Sequence, residues 1–190
     1  PLASGVLPVA IGKSTRLFDY LLDKKKEYVA TVAFGYMTDT LDLEGKTVLT
    51  SEVVPTEEQV KAACEKLVGE IMQVPPIFSA KCVNGKRSYE LARKGVAVEL
   101  PPKKVIISKV EVIEKTAENE YKIKIVCGGG TYIRSIARDL GYECGSCATM
   151  TSLIRTASGV FEIENSIKAE DFIKAENKQS LLIPADDAVD

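Results

Sequence analysis

The side chains with the clearest chemical potential are Tyr132 and Arg134, which closely follow the run Gly128-Gly129-Gly130. A tyrosine ring can stack on a flat ligand, and an arginine carries a permanent positive charge that pairs with anions. Glycines permit a sharp turn or a close approach by another chain, so a cleft at this point is one interpretation. A buried tyrosine beside a structural arginine is the other, and the spacing alone favours neither.

The neighbouring segments predict how this pair is positioned. In the run Tyr121 to Val126 (YKIKIV), apolar and lysine side chains alternate with the period of two of a half-buried strand. After the glycines, Thr131 can cap a helix, whose apolar face would consist of Ile133, Ile136, Ala137 and Leu140. Tyr132 and Arg134 are therefore predicted to lie where a strand gives way to a helix, a place where polar side chains often face a crevice.

Composition excludes several kinds of catalytic site. The 190-residue chain has no histidine, which removes Ser-His-Asp and Cys-His catalysis and every histidine-containing metal site within these residues. Its five cysteines favour a reducing cytoplasm over a secreted disulfide scaffold. No apolar run is long enough to cross a membrane. The net charge is -2, so a nucleic-acid site would have to be a local basic patch.

The best candidate for such a patch is the segment 73–95 (QVPPIFSAKCVNGKRSYELARKG). Asn84-Gly85 is a tight-turn signal, so the segment is predicted to form a hairpin or a long loop. Its basic side chains are interleaved with two aromatic ones: Lys81, Lys86, Arg87, Arg93 and Lys94, with Phe78 and Tyr89. This pattern offers positive charge for phosphates and flat faces for the bases of RNA. An ordinary solvated hairpin has the same composition and stays an alternative.

Three further elements are predicted in the part of the chain that precedes the basic segment. Tyr28 to Gly35 (YVATVAFG) is rich in β-forming residues and predicts a strand. Thr56 to Met72 predicts a helix, because Thr56 and Gln59 make a capping box and an apolar stripe follows: Val60, Ala63, Cys64, Leu67, Val68 and Ile71. The run Thr38-Asp39-Thr40-Leu41-Asp42 is interpreted as a polar turn rather than a cation site.

Five motifs follow one another along the chain: PLASGVLPVAIGKST, GYMTDTLDLEG, QVPPIFSAKCVNGKRSYELARKG, GGGTYIRSIARDLG and SLIRTASGVF. They occur in the order found in bacterial tRNA pseudouridine synthases that modify uridine 55 of the T loop, and the chain resembles that family over nearly its whole length. The resemblance implies an α+β fold, with a mixed, mainly antiparallel sheet, flanking helices and long loops around a cleft. It implies neither a metal nor an organic cofactor.

The resemblance also implies a reaction and the residues that serve it. The C1′–N1 glycosidic bond of a uridine breaks, and the base, flipped out of the tRNA, is rejoined through C5. Tyr28 would stack on the flipped base, and Leu153 would pack over it. Tyr132 and Arg134 would line the other wall, with Arg134 paired to the catalytic aspartate and keeping it ionised. Contacts to phosphates and base edges are implied for Lys81, Asn84, Lys86 and Arg93.

The family's nucleophilic aspartate belongs to a Gly-Thr-Leu-Asp run that directly precedes Pro-Leu-Ala-Ser-Gly, so it is expected immediately before Pro1. No aspartate of the chain stands in that motif, and Asp139, which follows Arg138, fits an ion pair or a cap better. We expect residues 1–180 to form a catalytic domain without its N-terminal segment. Residues 181–190 would begin a truncated C-terminal RNA-binding domain of the PUA type.

These inferences give one leading hypothesis and two alternatives. The leading hypothesis is a cytoplasmic tRNA pseudouridine-55 synthase that binds the T stem-loop, with no membrane partner and no obligate protein partner. One alternative is a non-catalytic tRNA-binding or RNA-folding module that keeps the cleft. The other is a soluble α/β domain whose basic hairpin is merely solvated.

Overall fold

The structure is a computed structural model that describes residues 3–22, 24–79, 82–83, 86–88 and 100–188. The strands, in chain order, are β1 (Ala3–Gly5), β2 (Lys26–Phe34), β3 (Tyr36–Thr38), β4 (Thr47–Thr50), β5 (Gly69–Gln73), β6 (Cys82–Val83), β7 (Lys86–Arg87), β8 (Lys103–Ala117), β9 (Glu120–Cys127), β10 (Ala148–Ser158) and β11 (Phe161–Glu162). Within the described residues, the α-helices are α1 (Phe18–Leu22), α2 (Glu57–Lys66), α3 (Ile133–Glu143) and α4 (Ala169–Lys174).

Seven of the described strands form one sheet in the order β1-β10-β2-β9-β8-β5, with β11 paired to the end of β10. The β1–β10 pair is parallel, and the other pairs in the sheet are antiparallel. Two short hairpins, β3–β4 and β6–β7, stand apart from the sheet. The predicted mixed, mainly antiparallel sheet with flanking helices is therefore confirmed.

The core lies on one face of the sheet because alternate residues of its strands are apolar. Along β9, Tyr121, Ile123, Ile125 and Cys127 are buried, whereas the residues between them are only partly buried. Two helices cover this face and contribute apolar residues to the core: Val60, Ala63 and Cys64 from α2, and Ile133, Ile136, Ala137 and Leu140 from α3. The strand and the helix face predicted on either side of the three glycines are both confirmed.

The helix predicted over Thr56 to Met72 is shorter than its apolar stripe. Its capping box forms as predicted, since Gln59 N donates to Thr56 Oγ1 (3.3 Å) and Thr56 N donates to Gln59 Oε1 (2.8 Å). The helix ends at Lys66, however, and Gly69, with φ of 111°, begins β5, which pairs along β8. The prediction is wrong beyond Lys66, because pairing with the sheet outweighs the helix preference of the local sequence.

The two ends of the described chain pack less tightly. After β1, a 3-10 segment (Gly12–Leu17) leads into α1, and no residue of either is buried. Beyond β11, short 3-10 segments alternate with α4, again without buried residues. None of the helices in the described ranges is long and apolar enough to span a bilayer. A domain boundary near residue 180 stays a prediction.

Candidate active site

Arg134, at the start of α3, is held by groups from two other segments. Its Nη1 donates to the carbonyl oxygen of Thr40 (2.7 Å) and lies 3.1 Å from Oδ2 of Asp42. Its Nη2 donates to the carbonyl oxygen of Phe78 (2.8 Å). Its Nε makes no hydrogen bond to the described residues. The guanidinium is therefore fixed in position and still has a donor for a further anion.

Asp42 is the charged partner of Arg134, and its carboxylate is also bound within its own turn. Oδ1 accepts from Thr40 Oγ1 (2.6 Å) and from Glu44 N (3.1 Å), which confirms the predicted polar turn. The Asp42 side chain is only 9% exposed, so its attraction to Arg134 is weakly screened by water. Charge and hydrogen bonds together orient the guanidinium from this side.

The turn that carries Asp42 is strained at the residue before it. Leu41 has φ of 63°, in the left-handed region that residues other than glycine rarely adopt. Backbone hydrogen bonds hold it there, since Leu41 N donates to Thr38 O (3.1 Å) and Met150 N donates to Leu41 O (3.1 Å). Such a conformation costs about 1 to 3 kcal/mol and tends to persist at functional turns, where the surroundings over-determine the backbone.

Tyr28 and Leu153 lie on neighbouring strands, β2 and β10, and share the face of the sheet that α3 covers. The register pairs Tyr28 with Arg155 and Leu153 with Ala30. Paired residues, and residues two apart along one strand, point to the same face. Both Tyr28 and Leu153 are partly buried against the core. The structure therefore brings these two predicted site residues side by side.

Tyr132 is joined to this region through the end of β9. Tyr28 pairs with Ile125, and β9 ends at Cys127, from which residues 128–131 lead to Tyr132, the N-cap residue of α3. Thr131 does not cap the helix, because its hydroxyl donates to the carbonyl oxygen of Gly128 (3.0 Å) and closes the glycine turn. The predicted cap is therefore wrong, although the predicted change from strand to helix is confirmed.

The environment of Tyr28 keeps its hydroxyl neutral. Burial raises the pKa of the phenol, and the thiol of Cys127 adds to this rise, whereas Arg155 opposes it by charge and by a hydrogen bond. Arg155 is itself held close to β1, because its Nε donates to the carbonyl oxygen of Val6 (2.6 Å). A neutral ring in a partly apolar place is suited to stacking on a flat ligand.

The predicted basic hairpin begins beside Arg134. Strands β6 and β7 pair antiparallel, as expected for the two arms of a hairpin. Two buried serines close its base, since Ser88 Oγ donates to the carbonyl oxygen of Ser79 (2.7 Å) and lies 3.1 Å from Ser79 Oγ. Ser79 follows Phe78, whose carbonyl oxygen accepts from Arg134. The base of the hairpin is therefore fixed next to the guanidinium.

The structure describes only part of the predicted RNA-contact set. Lys86 lies in β7. The other three residues, Lys81, Asn84 and Arg93, lie outside the described residues. Their roles stay predictions, as does that of Lys86.

Asp139 forms an ion pair within α3, in agreement with the sequence-based interpretation. Its Oδ1 accepts from Nε of Arg138 (2.8 Å), and Nη2 of Arg138 lies 2.8 Å from the same oxygen. Burial raises the pKa of the Asp139 carboxyl, and Arg138 opposes this rise. Burial also raises the pKa of the Cys144 and Cys147 thiols, which suits packing residues better than nucleophiles. Across the described part of the chain, no group of three or more acidic or cysteine side chains could hold a metal ion.

Two residues of this arrangement, Asp42 and Arg155, are not among the site residues that the sequence predicts. The sequence predicts Asp42 only as a turn residue, although a second aspartate in the run TDTLD is a signal for a further role. Arg155 stands in the motif SLIRTASGVF, and only the strand register shows that it lies across from Tyr28. Both contacts join segments that are distant in the chain, which no local pattern can reveal.

Comparison with known proteins identifies relatives of this chain. A family model described as "TruB family pseudouridylate synthase (N terminal domain)" matches residues 1–133. The tRNA pseudouridine synthase B of Caulobacter vibrioides is 42% identical over 193 residues, which cover 100% of this chain and 62% of that protein. The tRNA pseudouridine synthase B of Clostridium tetani is 43% identical over 190 residues, covering 100% of this chain and 65% of that protein. The chain thus spans less than two thirds of the length of these relatives.

Solved structures show the same fold. A crystal structure of a Cbf5–Nop10–Gar1 complex contains a chain that superposes with a TM-score of 0.72 at 28% identity, covering 98% of this chain and 50% of that chain. A structure of an H/ACA RNP bound to a substrate RNA containing 2'-deoxyuridine gives a TM-score of 0.68 at 26% identity, covering 98% and 48%. Both bacterial relatives above match over the whole chain and are named as synthases.

Proposed function

The chain belongs to the TruB family of pseudouridylate synthases, and from that premise we propose that the complete protein converts uridine 55 in the T loop of tRNA to pseudouridine. The family is the one that the five sequence motifs predict. The observation that carries the proposal is the position of Arg134, oriented by Thr40, Asp42 and Phe78 with its Nε turned to no described partner. A carboxylate is the natural ligand for a guanidinium N–H group that remains available in this way.

The proposed reaction is an isomerisation in which the atoms of the base are conserved. The C1′–N1 bond breaks and a C1′–C5 bond forms. C5 gives up its hydrogen as a proton, and N1 takes up a proton, so that uridine and pseudouridine have the same composition. The nucleophile would be the aspartate expected immediately before Pro1, with Arg134 pairing to it and keeping it ionised.

We propose that the flipped uracil ring of the substrate binds between the sheet and the start of α3. Tyr28 would stack on the flipped uracil ring and lie close to the sugar, and Leu153, its neighbour across β2 and β10, would pack over the base. Tyr132 would line the other wall. These roles agree with the shared sheet face of Tyr28 and Leu153 and with the position of Tyr132 at the N-cap of α3.

The proposed RNA contact is the basic segment whose base adjoins Arg134. Phosphates and base edges of the T stem-loop would be bound by Lys81, Asn84, Lys86 and Arg93. We place the enzyme in the cytoplasm, with tRNA as its partner and no obligate protein partner. Residues 1–180 would form the catalytic domain, and 181–190 would begin a C-terminal RNA-binding domain.

The position of the modified nucleotide tests this proposal. The complete protein is incubated with an unmodified tRNA transcript, the RNA is treated with a carbodiimide that labels pseudouridine, and reverse transcription locates the label. The proposal expects one new stop that marks position 55, one nucleotide to its 3′ side, and that is absent without protein. Stops at other uridines, with none at position 55, would contradict the proposed substrate position.

A further inference from the structure

Gln73, at the end of β5, is a polar side chain that the proposed reaction does not yet use. It is only 1% exposed, among the most deeply buried large side chains of the protein. A primary amide buried in this way requires partners for both its donor and its acceptor, because an unpaired polar group away from water loses its hydrogen bonds without compensation.

Both ends of this amide bind the backbone of one residue, Tyr132. Gln73 Nε2 donates to the carbonyl oxygen of Tyr132 (3.1 Å), and Tyr132 N donates to Gln73 Oε1 (2.9 Å). Two residues paired in an antiparallel sheet exchange the same two hydrogen bonds through their backbones. Here the side-chain amide of Gln73 takes the place of one backbone. It holds Tyr132 extended, with φ of -98° and ψ of 111°, at the point where α3 begins without a side-chain cap.

The segment after Gln73 is bound to α3 in the same way. The carbonyl oxygen of Val74 accepts from Ser135 Oγ (2.9 Å) and from Arg138 Nη2 (3.1 Å). Arg134 Nη2 reaches the carbonyl oxygen of Phe78 a few residues further on. The first turn of α3 and the chain leading to the basic hairpin are therefore fixed to each other through backbone carbonyl groups.

We propose that Gln73 is a positioning residue for the isomerisation: its amide sets the backbone of Tyr132, and thereby the direction in which the Tyr132 ring and the Arg134 guanidinium enter the cleft. The inference rests on the proposed function. Glutamine suits this position because its amide offers one donor and one acceptor side by side without a charge. A carboxylate would place an acceptor against the carbonyl oxygen of Tyr132, and an apolar side chain would leave both backbone groups unpaired.

The test uses two variants of the complete protein, Gln73→Met and Gln73→Glu, both close to glutamine in size. Tyr121→Phe is the matched control, because Tyr121 is fully buried and its hydroxyl donates to the carbonyl oxygen of Pro55 (3.1 Å), remote from Tyr132. Melting temperatures are measured first, and all assays are run well below the lowest one. Single-turnover rates at saturating tRNA and the dissociation constant for tRNA are then compared.

A positioning role predicts that the Gln73 variants lose reaction rate but keep their affinity for tRNA. Both Gln73 variants should lose between about tenfold and a hundredfold in single-turnover rate, as expected when reacting groups are misplaced by an ångström or less. Affinity for tRNA should stay close to wild type, because it is assigned to the basic hairpin. The control should keep the wild-type rate even with a lower melting temperature.

Three results would overturn the inference, and only the third would also remove the proposed function. Wild-type rates in folded Gln73 variants, or a loss of affinity with no loss of rate, would remove the positioning role and leave the proposed function intact. A wild-type protein that makes no pseudouridine in tRNA would remove the proposed function, and the role of Gln73 with it.

Discussion

The Nη1 atom of Arg134 lies 3.1 Å from Oδ2 of Asp42, in a contact between the first turn of α3 and a strained loop far away in the sequence. Neither side chain is more than 22% exposed, so the pair is only weakly screened by solvent. The contact fixes the guanidinium from one side, and the carbonyl oxygen of Phe78 fixes it from another. The proposed catalytic carboxylate would therefore meet a donor that is already oriented, which lowers the cost of organising the site during the reaction.

Replacing Arg134 by alanine should abolish most turnover in the complete protein. The loss should be at least about a hundredfold in single-turnover rate, as for removal of other pre-oriented charged donors. Binding of tRNA should be largely intact, because phosphate contacts are assigned to the basic hairpin. Rapid-quench and filter-binding assays measure the two quantities separately, and near-normal turnover would contradict the carboxylate-pairing role.

The same substitution should also destabilise the protein. Asp42 would be left as a buried charge without its partner, a change that costs about 3 to 5 kcal/mol in buried pairs and less here because the pair is partly exposed. Urea unfolding of Arg134→Ala and of the double variant Arg134→Ala/Asp42→Asn measures this effect. The double variant should recover part of the lost stability. No recovery would mean that the charge of Asp42 is not what destabilises the single variant.

Asp42→Asn should slow the reaction by orienting Arg134 less well. The amide keeps an oxygen for Thr40 Oγ1 and Glu44 N but brings no negative charge to the guanidinium. We expect a loss of about tenfold in rate, equal to about 1.4 kcal/mol. Asp39→Asn is the matched control, since Asp39 is exposed in the same turn and accepts from Lys46 N (2.9 Å). Equal losses in the two variants would point to the turn rather than to the ion pair.

Tyr28→Phe should bind tRNA as well as the wild type, because phenylalanine keeps the stacking face. A large loss of affinity would contradict the stacking assignment. Since burial raises the pKa of the Tyr28 phenol, the hydroxyl should stay neutral to a higher pH than that of a free tyrosine. Between about pH 7 and pH 9, the rates of the wild type and of Tyr28→Phe should therefore change with pH in the same way.

Asp139→Asn should keep turnover within about twofold of wild type, because Asp139 is paired to Arg138 and is not the nucleophile. Its carboxyl pKa is raised by burial despite Arg138, so the folded protein binds this proton more tightly than the unfolded chain does. Wild-type stability should therefore fall relative to the asparagine variant as pH rises from about 4 through the raised pKa. Urea unfolding at several pH values checks this sign, and a relative gain by the wild type would contradict it.

The strands and helices were predictable wherever local patterns and tertiary pairing agree. The alternation in β9 and the apolar face of α3 are complete in the sequence, and both elements form where the pattern predicts them. The helix prediction failed after Lys66 because the apolar residues there fit the period of a strand as well as that of a helix. The segment forms a strand because Gly69 has a positive φ and the residues after it pair with β8. The apolar pattern of the helix shows neither feature.

The sequence predicts candidate site residues, but it does not predict the contacts that join them. Tyr28 and Leu153 were expected together from the family resemblance, and the strand register places them on one face. The contacts that orient Arg134, by contrast, come from Asp42 and from two backbone carbonyl groups. Backbone acceptors carry no sequence signature, so these contacts require the fold. The same reason hides Gln73, whose partner is the backbone of Tyr132.

The measurement that tests the central claim most directly is release of tritium from C5 of uridine. A tRNA transcript labelled at C5 of its uridines is incubated with the complete protein, beside a matched transcript in which uridine 55 is replaced by cytidine. Because the C5 proton leaves when the C1′–C5 bond forms, we predict one tritium released per tRNA from the first transcript and none from the second. Equal release from both, or none from either, would contradict the assignment of this site to pseudouridine 55.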